Sequence, residues 1–193
     1  MHTSLQHNQF LVKEHVGLFK ASSNYDIFNP ATGQKVLECR EPNLGIFTKL
    51  FRFTDYKQMT PFNVEVCTPE GGQVLSVKRG ISLFLSRVEV FDEKGKLVGR
   101  FKQKLFSIGG KFDILDTQDN VICTLKGKWT GWDFRFMRGD TELASVSKQW
   151  TGLGKEFFTS ADTYMLSIDS AASDTNRILI VAAVMCIDMV LKE

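Results

Sequence analysis

The sequence predicts a mainly β fold, a closed antiparallel barrel of about twelve strands enclosing one hydrophobic C-terminal helix. Two observations predict it. Paired alternating segments flank turn-type residues from Tyr25 to Lys148, and the chain closes on an apolar run, Ile178–Leu191 (ILIVAAVMCIDMVL), broken only by Asp188. That run does not alternate, and about 14 residues suits a short helix better than a strand. A helix apolar on all sides must be enclosed, by protein or by lipid. Eight strands already fill their own interior with side chains, and diameter grows with strand number. A helix with its side chains is about 10–12 Å across, so a barrel of about twelve strands has room for one.

The helix is placed at residues 177–191, with Ile180, Val184, Ile187, Asp188 and Leu191 as its central residues. Asp174 or Ser173 suits its N-cap and Lys192 the negative end of its dipole. Ala182 and Ala183 allow close backbone approach, and Asp188 needs a donor near one rim. A bilayer span is the alternative. It needs roughly 20 residues, and a central aspartate costs about 2.5–3.5 kcal/mol there.

The strands follow in order. Residues 1–9 are polar and expected to fray, leaving 10–193 as one domain. Phe10–Glu14 is the first strand. Tyr25–Asn29 and Lys35–Arg40 flank Pro30-Ala31-Thr32-Gly33, a turn by residue type. Residues 43–58, rich in Phe and Lys/Arg, read equally as a short helix or an irregular loop. Phe62–Thr68 and Gln73–Lys78 flank Pro69–Gly72, and Arg87–Phe91 and Leu97–Gln103 flank Asp92–Gly95. Lys111–Leu115 and Val121–Leu125 flank Asp116–Asn120, and Asp133–Arg138 and Thr141–Lys148 flank Gly139-Asp140. Tyr164–Ile168 comes last.

Composition fits a globular domain, with 43% hydrophobic and 24% charged residues, and 16 phenylalanines suit a large β core. A net charge of +2 does not by itself imply nucleic-acid binding. Cys39, Cys67, Cys123 and Cys186 are scattered, without metal-ligand spacing, and read as free thiols in a reducing compartment. No apolar h-region opens the chain. The expected location is cytoplasmic, peripheral at the inner face of a membrane.

Catalytic signatures are missing. His2, His7 and His15 stand without a nucleophile motif, and no phosphate loop or zinc-protease pattern occurs. The expectation is a non-enzyme with no cofactor and no metal. Binding residues are easier to find. Arg100, Lys102 and Lys104 alternate on one strand face, Lys126 and Lys128 repeat the spacing, and Lys78 and Arg79 join the set. Side by side they would form a basic patch for phosphate head groups, or else a solvated sheet face that resists edge pairing. Leu83-Phe84-Leu85 is a candidate tip for membrane insertion, or a half-buried triplet. Trp129, Trp132, Phe134 and Phe136, interleaved with Lys126, Lys128 and Arg135, suggest a stacking platform for single strands. The shared face of Phe134 and Phe136 reads more simply as core.

A resemblance adds to this. Ser147-Lys148-Gln149-Trp150-Thr151-Gly152, then Glu156, Phe158-Thr159 and Ala161-Asp162-x-Tyr164, resemble the phospholipid scramblase family. So do VAAVMCIDMVLKE at the end and YDIFNPATGQKVL at Tyr25–Leu37. The resemblance covers most of Tyr25–Glu193. It implies a fold related to the Tubby C-terminal domain and the plant LURP-one-related proteins, a twelve-stranded barrel around a hydrophobic helix. It also implies membrane association and calcium-dependent lipid movement between leaflets. Two departures matter. The positions of the family's calcium motif read Ser160, Asp162, Tyr164, Leu166, Ile168 and Ala171 in this chain, so one of its carboxylates survives and Asp162 is the one weak metal candidate. Where animal members carry a palmitoylated cysteine cluster, Gly80–Ser86 reads GISLFLS. The expected function is a lipid- or membrane-surface-binding module for anionic phospholipid head groups. The alternative is a soluble scaffold that binds a protein partner or a small apolar ligand.

Overall fold

Hairpin-forming sequence pairs produce twelve strands in the computed structural model, which describes residues 1–14, 24–42, 61–80, 88–103, 112–128, 131–148 and 163–191, with side chains omitted at 103 and 188–191. They are β1 (Gln9–Glu14), β2 (Tyr25–Phe28), β3 (Lys35–Arg40), β4 (Phe62–Cys67), β5 (Gln73–Arg79) and β6 (Val88–Asp92). β7 (Leu97–Gln103), β8 (Phe112–Leu115), β9 (Val121–Lys128), β10 (Asp133–Arg138), β11 (Thr141–Ser147) and β12 (Thr163–Ile168) follow, and α1 (Asp174–Leu191) ends the chain. Each strand pairs antiparallel with its sequence neighbours, and β1 pairs with β12 to close the barrel. Closure removes every sheet edge.

An up-and-down barrel has two unlike ends. Here β2–β3, β4–β5, β6–β7, β8–β9 and β10–β11 are joined by short turns at one end, which also receives the chain from β12 into α1. Several of these turns use one device. The Asp92 carboxylate accepts from the Lys94 and Lys96 amides, both at 2.9 Å. Asp116 accepts from Gln118 and Asn120 at 2.8 and 2.9 Å, and Asp169 from Ala171 at 2.7 Å. A short acidic side chain mimics a turn's own backbone bond, which is why aspartate gathers at this end. The other end carries the longer connections between β1 and β2, β3 and β4, β5 and β6, β7 and β8, and β11 and β12.

The helix begins at the turn end, three residues before the sequence reading placed it. Of the two capping candidates, the Ser173 hydroxyl takes the role, accepting from the Asn176 amide at 3.3 Å, while Asp174 occupies the first turn. Every side chain from Leu179 to Ile187 is buried, none more than 1% exposed. The lining comes from the alternate residues of the wall, among them Val64, Val66, Leu75, Val77, Val88, Val90, Phe101 and Phe112. Gly99 in β7 sets the closest approach. A Cβ there would strike the Leu115 carbonyl oxygen and come within 2.9 Å of the Leu179 side chain. Gly99→Ala is therefore expected to cost about 1–3 kcal/mol by overpacking. In a chain of this size that lowers Tm by roughly 2–4 °C per kcal/mol. Gly131→Ala, facing open space, should leave the melting curve within error.

Residues 1–9 lie across the turn end. Thr3–Leu5 form a 3-10 turn capped by the His2 side chain, and Leu5 is fully buried in the core. Ile168 in β12 donates to the Asn8 carbonyl at 2.8 Å. Arg177, 5% exposed, donates to the His7 carbonyl at 3.0 Å and to Asn8 Oδ1 at 2.7 Å. It also donates to the carbonyls of Ala172, Asp169 and Ser170. Among its polar residues the segment carries apolar anchors, Leu5 and the partly buried Met1, and a set of acceptors that a buried guanidinium requires.

A basic outer wall as the candidate functional site

Strand alternation decides which of the predicted basic residues share a surface. On β7, Gly99 and Phe101 face the helix, so Arg100 and Lys102 face out. On β9, Cys123 and Leu125 are buried while Lys126 and Lys128 are exposed. On β10, Phe134 and Phe136 face in and Arg135 faces out. Lys126 lies directly opposite Arg135, and Lys128 opposite Asp133. Lys102 lies opposite Asp113, which sits opposite Thr124 and accepts from its hydroxyl at 2.7 Å. Like charges directly opposite each other destabilise a sheet by some fraction of about 1 kcal/mol. Arg135 offsets part of this through Glu142, 3.5 Å away.

The other candidates separate. Arg100 is 17% exposed and tied to Glu89 at 3.2 Å and Asp119 at 3.3 Å, so its charge is spent within the wall. Lys78 is exposed on β5, its Nζ 5.3 Å from the centre of the Phe91 ring. Arg79, its neighbour in sequence, necessarily points the other way. It is 4% exposed inside the barrel, its guanidinium 4.7 Å over Phe62, so it does not share the outer face with Lys78. Ile180, Val184 and Ile187 are fully buried within the barrel. Lys104, Leu83, Phe84, Leu85 and Asp162 lie outside the described residues, as do the side chains of Asp188 and Leu191. The wall therefore combines Lys102, Lys126, Lys128 and Arg135. The last was readable from its alternation with Phe134 and Phe136, although its neighbours pointed first to the aromatic cluster.

Trp132, Phe134 and Phe136 of that cluster face inward, and Trp129 lies outside the described residues. Trp132 stacks on Tyr164 at 3.9 Å between ring centres and 12° between planes, and Phe134 lies against Phe136. Trp132 holds φ at +52°, a left-handed conformation that costs a side chain roughly 1–3 kcal/mol. The stack over Tyr164 gives the indole a reason to occupy it. With these rings turned to the core, they form no exposed stacking platform for nucleic acid.

Thiol chemistry is equally quiet. Burial pushes the Cys39 and Cys186 thiols well above their usual range and Cys123 up to about 12; partial burial raises Cys67 as well. All four are free and carry little thiolate near neutral pH. Among the described residues no group of three His, Cys, Asp or Glu side chains could hold a metal ion. Nor is any described helix long and apolar enough to cross a membrane.

Fold and surface together define a closed, up-and-down β barrel filled by its own C-terminal helix, with its charge on the wall. Comparison with known proteins gives this class a name. The chain matches the family described as Scramblase over residues 5–193, and belongs to it. The family is not an enzyme class. A yeast relative, "Altered inheritance rate of mitochondria protein 25" of Saccharomyces cerevisiae, is 23% identical over 177 residues. That match covers 79% of this chain and 54% of the relative, so the chain spans about half the length of the curated relative it matches. An X-ray structure of an Arabidopsis thaliana protein superposes with a TM-score of 0.54 at 13% identity, covering 93% of this chain and 90% of that one. At that identity the likeness concerns the fold alone.

Proposed function

We propose that this chain is a membrane-surface module whose outer wall over β7, β9 and β10 binds anionic phospholipid head groups. The observation that carries the reading is the exposed pair Lys126 and Arg135, directly opposed, with Lys102 and Lys128 beside them. Three or four exposed cations on one face suit a phosphate-bearing surface, where each contributes about 1 kcal/mol. Membership in the scramblase family supports the lipid as partner. The reading stops at binding. Using α1 as a bilayer span would require drawing Ile178–Ile187 out of a barrel that encloses them.

Reversing Lys102, Lys126 and Lys128 to glutamate is expected to weaken co-sedimentation with phosphatidylserine vesicles by at least about 100-fold, the equivalent of about 3 kcal/mol. All three are exposed; reversal relieves the Lys126–Arg135 opposition but sets like charges against Asp113 and Asp133, so Tm should fall by only about 2–4 °C. Reversal of Glu89, which pairs with Arg100, serves as a control on the same side of the barrel. Unchanged sedimentation in the triple variant would remove the wall as the site. Wild-type protein that stays with the supernatant at low salt would favour a scaffold that binds a protein partner.

A further inference from the structure

On the outside of the barrel, cations face carboxylates across neighbouring strands. Lys13 lies directly opposite Asp26, Lys78 opposite Glu89, Lys102 opposite Asp113 and Lys128 opposite Asp133. Arg40 lies opposite Glu65 and Arg100 opposite Glu89. One pair breaks the pattern. Lys126 in β9 lies opposite Arg135 in β10, and both are exposed. Ser145 in β11 lies on the other side of Arg135, so the three make one straight row across three strands. Neither Lys126 nor the Ser145 hydroxyl has a side-chain partner among the described residues. Arg135 has Glu142, 3.5 Å away, but that pair stands in water, with Arg135 65% and Glu142 40% exposed. An exposed pair of this kind is weak and exchanges readily for a better anion.

Sheet pairing does not account for this row, since like charges set opposite each other weaken a sheet. A bound anion does. Directly opposed residues hold their Cβ atoms about 4.5–5.5 Å apart, and a further strand adds about 4.8 Å. An ammonium, a guanidinium fork and a hydroxyl can therefore converge on one phosphate. Two cations on a single phosphate suit a doubly charged one better than a singly charged one. The phosphate of phosphatidylserine is a diester with one charge. A monoester carries two once its second ionisation, at about pH 6, is passed. We propose that Lys126, Arg135 and Ser145 form a phosphate-monoester subsite, which selects phosphatidic acid within an anionic bilayer. This rests on the lipid-binding reading and names the head group. Glu142 is the resident competitor, holding the Arg135 fork until a dianion takes it.

Co-sedimentation with vesicles of phosphatidic acid or phosphatidylserine, matched in surface charge, tests it. At pH 7.5 the phosphatidic acid vesicles should be bound about ten-fold more tightly. At pH 5 that preference should vanish while binding to phosphatidylserine holds. The charged groups around the row are Asp113 on β8, Lys128 on β9, Asp133 on β10 and Glu142 on β11, and no histidine lies on these strands. A pH response confined to phosphatidic acid therefore belongs to the second ionisation of the lipid. Lys126→Gln with Arg135→Gln should bring phosphatidic acid down to the phosphatidylserine level. Ser145→Ala should weaken it about two- to three-fold, and Glu142→Gln should strengthen it by about as much. Lys128→Gln, whose lysine faces Asp133, should weaken both vesicle types by the same factor. Equal binding of the two lipids by the wild type at pH 7.5 overturns the subsite and leaves lipid binding intact, as does a preference that survives in the double variant. Free glycerol phosphate should compete only weakly; capture as tight as that of the vesicles would make a soluble ester the ligand and overturn the bilayer as its source. Protein that sediments with neither lipid overturns both readings.

Discussion

Replacing Val184 by aspartate is expected to unfold the entire domain, with no folded barrel left behind. Val184 is fully buried, with buried helix neighbours from Leu179 to Ile187, inside a closed wall. Losing the isopropyl group forfeits roughly 1.5–3 kcal/mol of apolar burial. An unpaired carboxylate in its place adds several kcal/mol, whether it ionises or is held neutral by a raised pKa. Together these rival the roughly 5–15 kcal/mol that stabilises a domain of this kind. The alternative outcome is informative. If α1 were an appendage, the variant would keep its β-sheet circular dichroism and a cooperative melt, and deletion of Ile178–Glu193 would yield soluble folded protein. The expected result for both is loss of the sheet signal, because the lining residues have no other surface to cover them. Met185→Asp should behave alike, since Met185 is equally buried. The test separates the helix as core from the helix as anchor without a lipid in the sample.

The barrel was legible because its signals are local and repeated. Alternation and turn chemistry at Asp92–Gly95, Asp116–Asn120 and Gly139-Asp140 each specify a hairpin on their own, and the non-alternating run Ile178–Leu191 needs only to be enclosed. What the sequence reading lost were features set by three-dimensional neighbours. Arg79 was grouped with Lys78 by adjacency, although alternation alone sends it inward to Phe62. Arg100 looked like a free cation until the register placed Glu89 opposite it. Residues 1–9 read as a polar end expected to fray, while the partner of His7 and Asn8 is Arg177, some 170 residues away in sequence. No local pattern reports such a pairing. The basic wall is an intermediate case: each strand's outward lysines are readable, but the opposition of Lys126 and Arg135 depends on the β9–β10 register.

That long-range pairing makes Arg177 the residue whose loss should cost most outside the helix core. Arg177→Ala is expected to destabilise the domain by about 3–5 kcal/mol, because several neutral acceptors lose hydrogen bonds from one charged donor, each worth about 1.5–3 kcal/mol and not additive. At roughly 2–4 °C per kcal/mol, Tm should fall by about 6–20 °C. The acceptors explain the size. The carbonyls of His7, Asp169, Ser170 and Ala172 and the Asn8 side chain all take hydrogen bonds from one guanidinium. Buried acceptors left unmet cost about 1–3 kcal/mol each, and less than their sum because they share a site. Arg177→Lys should recover only part of the loss, since an ammonium cannot fork across acceptors on both chain segments. These acceptors are neutral, so the deficit should be the same in low and high salt and across pH 5–9, unlike that of an ion pair. Deleting residues 1–8 should reproduce much of it, and adding Arg177→Ala to the deletion should then cost clearly less than it does in the full chain. Additive losses would mean that Arg177 acts through the β12–α1 connection alone, and that the N-terminal segment is held by Leu5 independently.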